Sequence, residues 1–302
     1  MIAALNAANI EAYPILVSSR DNGLPHHLHP VISDFNYVIA ALKIGDEIIQ
    51  LDASDNILPF GQLPLRAING EGRIIYNKKS SEWIPLENKI ISSTMYRFDG
   101  KLGLDGHIVG TLHIIQNGLD AYNKRREILQ YGSIEEYQEK LDDRLTNIDL
   151  NSFAVSFLEE TENSLSIESA VSVQIGEELK EGNFYFNPIF IERTTRNPFN
   201  LDERTYAVDL GAKSNESYEI NIEMPPGVTL ISAPKNSNLT LPENSARYKY
   251  TLKYEDNILS VTQFTSLKKS IYSTDEYFGL KELFSRIIQQ LKIDYTFNYQ
   301  SK

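Results

Sequence analysis

Short segments in which apolar and polar residues alternate recur along the second half of this 302-residue chain, separated by turn residues. Alternation has the two-residue period of a half-buried strand, and evenly spaced short strands are typical of a β-sandwich. The predicted strands in this region are 153–157, 165–175, 183–191, 204–210, 217–223, 247–254 and 258–264. We therefore expect antiparallel sheet to dominate the second half of the chain.

The first hundred residues carry a similar pattern with a long interruption. Apolar runs predict strands at 10–18, 35–44 and 47–51, and a hairpin from two further strands at 88–98 and 105–115. The interruption, residues 57–73, is rich in proline and glycine. Because proline lacks a backbone N–H, it cannot join a strand ladder or a helix interior, so we predict an ordered loop there.

Helical periodicity replaces alternation at residues 119–145, with a break near Gly132, and again near 274–291, where a broad apolar stripe should pack on a sheet. Each region contains a capping box, in which the side chains of a serine and a glutamate satisfy free N–H groups at the helix start. The two boxes are Ser133 with Glu136 and Ser273 with Glu276.

These patterns predict an α+β fold that is mainly antiparallel β. We divide it into residues 1–78, with three strands and a helix remnant, and residues 79–302. The second part is predicted to be a β-sandwich region with a helical insertion near 118–146 and a C-terminal helix near 274–291.

The first residues have helical spacing, yet no capping side chain precedes them. We expect the helix to begin upstream of residue 1, the alternative being a frayed N-terminal helix without a cap. In either case Ile2, Leu5 and the strand at 10–17 need a partner for their apolar surface. We expect them to dock on the second domain or to pair with another copy of the chain as a homo-oligomer.

Composition excludes several classes of function. The chain has no cysteine, so it cannot hold a disulfide, a thiolate metal site or a cysteine nucleophile. Its 29 basic and 41 acidic residues give a net charge of −12, which is unsuited to binding the phosphates of nucleic acid. No apolar run is long enough for a membrane span, no signal peptide is recognisable, and no motif calls for a cofactor.

Two groups of polar residues are candidate sites. His26, His27 and His29 could ligate a metal, although a solvated loop is the simpler interpretation because no ligand from a second element is evident. Asp52 ends an apolar strand, a position from which a carboxylate can orient an imidazole, or can cap the following turn. The neighbouring strand offers Asn36 and Tyr37 but no histidine.

Three runs of sequence resemble the back half of the transglutaminase-like domain of large bacterial proteins of Bacteroidetes type. They are IEAYPILVSSRDNG (10–23), FNYVIAALKI (35–44) and LDASDNILPFGQLPLRAINGEGR (51–73). Residues 197–211 and 271–290 look like the C-terminal domain of unknown function that accompanies that core. The resemblance extends over nearly the whole chain.

The resemblance implies a cysteine nucleophile, a histidine base and an aspartate, as in a cysteine protease. Asp52 matches the aspartate, Tyr37 stands where the histidine would be, and the cysteine would lie upstream of Met1. A phenol ionises only near pH 10 in ordinary surroundings, so a tyrosine is a poor general base. The resemblance also implies a periplasmic or envelope-associated location.

Three functions follow from this sequence. The first is a non-catalytic binding or structural module with a protein or peptide partner. The second is an inactive fragment of a full-length cysteine transglutaminase or protease. The third is a carbohydrate-binding or interaction sandwich, suggested by the 17 tyrosines, which requires exposed rings on one sheet face.

Overall fold

Antiparallel strands dominate the computed structural model, which describes residues 1–301 and confirms the α+β class. The helices are α1 (Ile2–Ala7), α2 (Gly118–Ile128), α3 (Ile134–Asp142) and α4 (Thr274–Leu291), and 3₁₀ turns lie at Ile32–Asp34, Leu65–Ala67 and Pro242–Asn244. None of the helices in this range is long and apolar enough to cross a membrane.

The first sheet is formed by the N-terminal part of the chain. Its strands are β1 (Ala12–Val17), β2 (Tyr37–Ile44), β3 (Glu47–Leu51), β4 (Glu71–Asn77) and β5 (Ser80–Pro85). Their spatial order is β3-β2-β1-β4-β5, and all neighbours are antiparallel. Ile15 of β1 lies opposite Ile39 of β2 and Ile74 of β4, and all three side chains are buried.

The predicted loop at 57–73 is too long, because strand β4 already begins at Glu71. Gly72 explains why the pattern concealed a strand: a Cβ there would lie 2.6 Å from Cγ2 of Ile15, so the position excludes any side chain. The division at residue 78 falls in the turn between β4 and β5, whose two strands belong to the same sheet. The first sheet therefore extends to Pro85.

The first sheet curls until its two outer strands approach each other. Nε2 of Gln50 on β3 donates to the carbonyl oxygen of Pro85 on β5 at 2.6 Å. Helix α1 covers one end of the sheet, where Ile2 and Leu5 pack around a buried group that includes Leu42. The apolar residues of the N-terminus thus dock on the first sheet, not on the second part of the chain.

The remaining strands form three further sheets. They are β6 (Ser92–Leu102), β7 (His107–Asn117), β8 (Ile148–Leu150), β9 (Ala154–Ser156), β10 (Leu165–Gln174), β11 (Gly182–Phe186), β12 (Val208–Asp209), β13 (Ser214–Glu223), β14 (Val228–Ser232), β15 (Ser237–Thr240), β16 (Ala246–Glu255), β17 (Ile258–Leu267), β18 (Ile271–Tyr272) and β19 (Tyr295–Tyr299). The large sheet has the order β15-β16-β17-β13-β6-β7-β10-β8, with β9 also on β10. Its strands are antiparallel except for the parallel pair β6 and β13.

The large sheet shares one hydrophobic core with the small sheet β11-β19-β14 and with α4. Helix α4 contributes the buried residues Leu280, Leu283, Ile287 and Leu291, as its apolar stripe predicts. Its capping box forms in both directions. At α3 only half of the box forms: the Ser133 hydroxyl accepts from the Glu136 N–H, whereas the Glu136 carboxylate accepts from the N–H of Gly132.

Helix α2 joins the first sheet to the large one. Leu119 and Tyr122 complete the core of the first sheet, while Ala121 and Ile128 belong to a separate apolar cluster beside β10. Arg125 on the same helix is fully buried. Its guanidinium donates to the carbonyl oxygens at positions 157, 160 and 163, at 2.8, 3.2 and 2.8 Å, and so fixes the loop before β10.

Candidate functional site

Tyr37 and Asp52 meet at the edge of the first sheet, where β2 begins and β3 ends. Strands β2 and β3 are antiparallel, with Ala40 opposite Leu51, so the start of one lies beside the end of the other. The Tyr37 hydroxyl donates a hydrogen bond to Oδ2 of Asp52 at 2.6 Å. The phenol thus occupies the place beside the carboxylate that an oriented imidazole would need.

The second carboxylate oxygen of Asp52 holds its own loop. Oδ1 accepts from the backbone N–H of Ser54 at 2.9 Å, which is the aspartate turn that the sequence left open as an alternative. Asp52 therefore caps the turn after β3 and bonds a side chain on the neighbouring strand at the same time.

Ser54 and Arg66 complete the cluster. Nη2 of Arg66 donates to the Tyr37 hydroxyl at 3.0 Å and to the Ser54 hydroxyl at 2.7 Å, and the two hydroxyl oxygens are 2.7 Å apart. The guanidinium carbon lies 5.2 Å from the centre of the Tyr37 ring, within range of a cation–π interaction. The hydrogen bond that the guanidinium donates to the Tyr37 hydroxyl raises the pKa of Arg66, and the negative charge of Asp52 acts in the same direction.

We call Tyr37, Asp52, Ser54 and Arg66 the tyrosine–aspartate network. Its phenol donates to the carboxylate and accepts from the guanidinium; because its one proton goes to Asp52, it also accepts from the Ser54 hydroxyl, and both lone pairs are occupied. The chain contains no cysteine to act as nucleophile. A network of this kind can hold a loop in place and present a polar surface.

A pocket of about 370 Å³ opens beside Asp52. Its wall is made by the loop after β3, by Met1 of the helix α1 region and by Glu162. Glu162 accepts from the N–H of Phe60 at 2.8 Å, and Asp55 accepts from the hydroxyl of Tyr122 at 2.8 Å. These two bonds anchor the loop to the rest of the molecule.

The structure places the other predicted site residues elsewhere. Asn36 bonds with Ser19, whose N–H donates to Oδ1 at 2.9 Å, and so fastens the turn after β1 away from Asp52. His27 stacks on Trp83 with 4.2 Å between ring centres. Within residues 1–301, no three His, Asp or Glu side chains form a group that could hold a metal ion, the loop of His26 and His29 included.

Most tyrosine rings lie in the core and not on a sheet face. The buried ones are Tyr96, Tyr122, Tyr137, Tyr218, Tyr248, Tyr250, Tyr272, Tyr277 and Tyr295. Of the tyrosines, Tyr185 and Tyr206 are prominently exposed, on different segments of the chain. The carbohydrate-binding alternative requires the opposite arrangement.

A second pocket, of about 240 Å³, lies on the large sheet and is closed by residues of α2 and α4. It contains Glu216 of β13 and Asp120 of α2, and Asp120 accepts from the Thr94 hydroxyl at 2.9 Å. Burial, followed by the negative charges of Asp120 and Glu192, raises the pKa of Glu216 to about 7. Burial also raises the pKa of Asp120. The sequence gives no sign of this pair, because distant segments bring it together.

Comparisons with known proteins bear on the fold. Residues 182–297, less than half of the chain, match the family described as "Domain of Unknown Function with solved-structure structure (DUF3858)". A crystal structure from Parabacteroides distasonis ATCC 8503, described as "a putative protease", superposes with a TM-score of 0.51 at 11% identity. The alignment covers 98% of this chain and 42% of that one, so the chain spans less than half the length of its structural neighbour. A search of curated proteins returned no match.

Proposed function

We propose that this chain is a non-catalytic binding or structural module, related to cysteine-protease-like and transglutaminase-like proteins of Bacteroidetes type. One observation carries the proposal: the closed tyrosine–aspartate network, in which the Tyr37 phenol bonds Asp52 where a catalytic histidine would stand. The absence of cysteine from the sequence and the fold shared with the Parabacteroides protein support it.

The chain should show no enzymatic turnover. We expect neither incorporation of a fluorescent amine into a glutamine peptide nor hydrolysis of fluorescein-labelled casein, because nucleophile and base are both missing. Asp52→Asn should leave these null results unchanged. Asp55→Asn is the matched control, since its carboxylate bonds Tyr122 and lies outside the network. Turnover that Asp52→Asn abolishes and Asp55→Asn preserves would refute the proposal.

Tyr37→Phe should lower the free energy of unfolding by about 1 kcal/mol, because Asp52 and Arg66 each lose a hydrogen-bond partner at a half-exposed site. Urea unfolding followed by circular dichroism measures the difference. Tyr206→Phe is the control, since that ring is 81% exposed. Equal unfolding midpoints for the two variants would mean that the network does not stabilise the fold.

A further inference from the structure

A groove of about 500 Å³ runs between the outer strands of the first sheet, within the usual size of ligand sites. Strand β3 forms one side and the end of β5 the other, and the loop containing Phe60 lies along it. Phe60 also borders the pocket beside Asp52, so the two cavities are neighbours.

Both strands that flank the groove are edge strands. Strand β3 pairs with β2 alone and β5 with β4 alone, so each has an outer edge without a backbone ladder. Such an edge is a template for an added strand. The Gln50 side chain makes one hydrogen bond that such a strand would make: its Nε2 donates to the Pro85 carbonyl oxygen across the groove at 2.6 Å.

The oxygen atom of the Gln50 carboxamide lacks a hydrogen-bond donor within the part of the chain that the structure describes. Oε1 of Gln50 is buried and has no hydrogen-bond partner among residues 1–301. A buried acceptor without a donor is costly, by about 1–3 kcal/mol. Because Oε1 is enclosed, an extended ligand would reach it with a backbone N–H only if the Gln50 side chain turned toward the groove.

The lining combines apolar surface with negative charge. Phe60 and Ile90 are 56% and 47% exposed, and Ile48, Ile49 and Ile84 line the same groove, so the apolar surface is contiguous. The charged residues that line the groove are Asp46, Glu47, Glu87 and Lys89. Lys89 pairs with Glu47, which leaves Asp46 and Glu87 as unneutralised carboxylates.

We propose that this groove binds an extended basic segment of a partner protein, which adds a strand to the edge of β3. Its apolar side chains would alternate into the groove and its lysines or arginines would meet Asp46 and Glu87. The proposal deepens the proposed binding role and rests on it. A second copy of this chain fits poorly as the occupant, because each copy carries a net charge of −12.

A fluorescein-labelled peptide of about six residues with alternating lysine and valine, the usual length of a strand, is the probe. Fluorescence anisotropy with the full chain should show saturable binding that weakens with added salt. Phe60→Ser should weaken binding about tenfold, because aromatic anchors dominate such interfaces. Phe278→Ser, which removes an aromatic ring 72% exposed on α4, should leave it unchanged.

Charge and backbone pairing are tested separately. Asp46→Asn combined with Glu87→Gln should weaken binding about fivefold and reduce its salt dependence. A peptide N-methylated on the amides of one edge should lose binding, whereas methylation of the other edge should not. The proposal is overturned by absence of saturable binding, by equal binding of a glutamate–valine peptide, or by insensitivity to Phe60→Ser.

Two further readouts separate the possible failures. Circular dichroism must show that each variant is folded, and Ile90→Ser provides a second apolar variant if Phe60→Ser is not. Sedimentation that shows a dimer blocked by the peptide would replace the partner with a second copy and overturn the assignment. Peptide binding without turnover upholds both proposals, whereas turnover refutes only the non-catalytic role.

Discussion

Arg125→Met should lower the free energy of unfolding by about 3 kcal/mol, the largest effect that we expect from one substitution outside the apolar core. The wild-type guanidinium is fully buried and donates to three carbonyl oxygens of the loop before β10. Methionine removes the cost of burying a cation, but it leaves those carbonyl groups without their donor. We expect the second effect to prevail because one side chain organises the whole loop.

The neighbouring Arg126 provides the control for this experiment. Its side chain is 51% exposed, and its Nε is 4.0 Å from the Asp55 carboxylate, so Arg126→Met should change stability by less than about 1 kcal/mol. Arg125→Lys should fall between the two, since it keeps the charge with fewer donors. Urea unfolding at constant pH measures all three. Similar losses of stability for Arg125→Met and Arg126→Met would show that the buried hydrogen bonds of Arg125 do not stabilise the fold.

Glu216→Gln should make the protein more stable at pH 8 by up to about 3 kcal/mol, with little effect at pH 4.5. The pKa of Glu216 is raised from its ordinary value of 4.5 to about 7 in the folded protein. Below pH 4.5 Glu216 is protonated in the folded and in the unfolded protein, so it does not lower the free energy of unfolding there. As the pH rises through 7, the folded state must accept a negative charge at a partly buried site beside other carboxylates, and the free energy of unfolding falls.

The groups that face Glu216 are Asp120 from α2 and Glu192 from the segment between β11 and β12, both acidic. Since the pKa of Asp120 is also raised, Glu216→Gln should retain part of the pH dependence. Glu219→Gln, an exposed position on the same strand, is the control. Unfolding measured from pH 4.5 to 8 tests this expectation. Parallel stability curves for wild type and Glu216→Gln would contradict it.

The sequence predicts those helices and strands whose formation depends on residues close together in the chain. Strand β3 is found with its observed bounds, and both long helical regions are found with their caps, because periodicity and capping depend on near neighbours. Among the strands that escape prediction are β4, β14 and β19. Gly72 interrupts the alternation of β4, while the other two are short segments whose sheet exists only through pairing with each other and β11.

The same division holds for the candidate site. Tyr37 and Asp52 can be placed side by side from sequence, because they flank consecutive strands. The contact of Ser54 with Asp52 is also local, because an aspartate side chain commonly accepts from the N–H two residues ahead in a turn. Arg66, in contrast, lies in a 3₁₀ turn of a proline-rich loop. Glu216 and Asp120 line the same pocket only because α2 packs on the large sheet. Contacts between distant segments carry no local signature, so a single sequence does not reveal them.

The parallel pairing of β6 with β13 has a consequence for how the chain assembles. Ser92 pairs with Ser214, so this ladder closes only after the intervening helices and strands have been made. The hairpin of β6 and β7 can form early, as can the hairpin of β16 and β17, and the pairing of β6 with β13 should join them later, because closing a long loop is entropically slow. Until then β6 has a free edge, and we expect that edge to be a site at which two nascent chains could mispair.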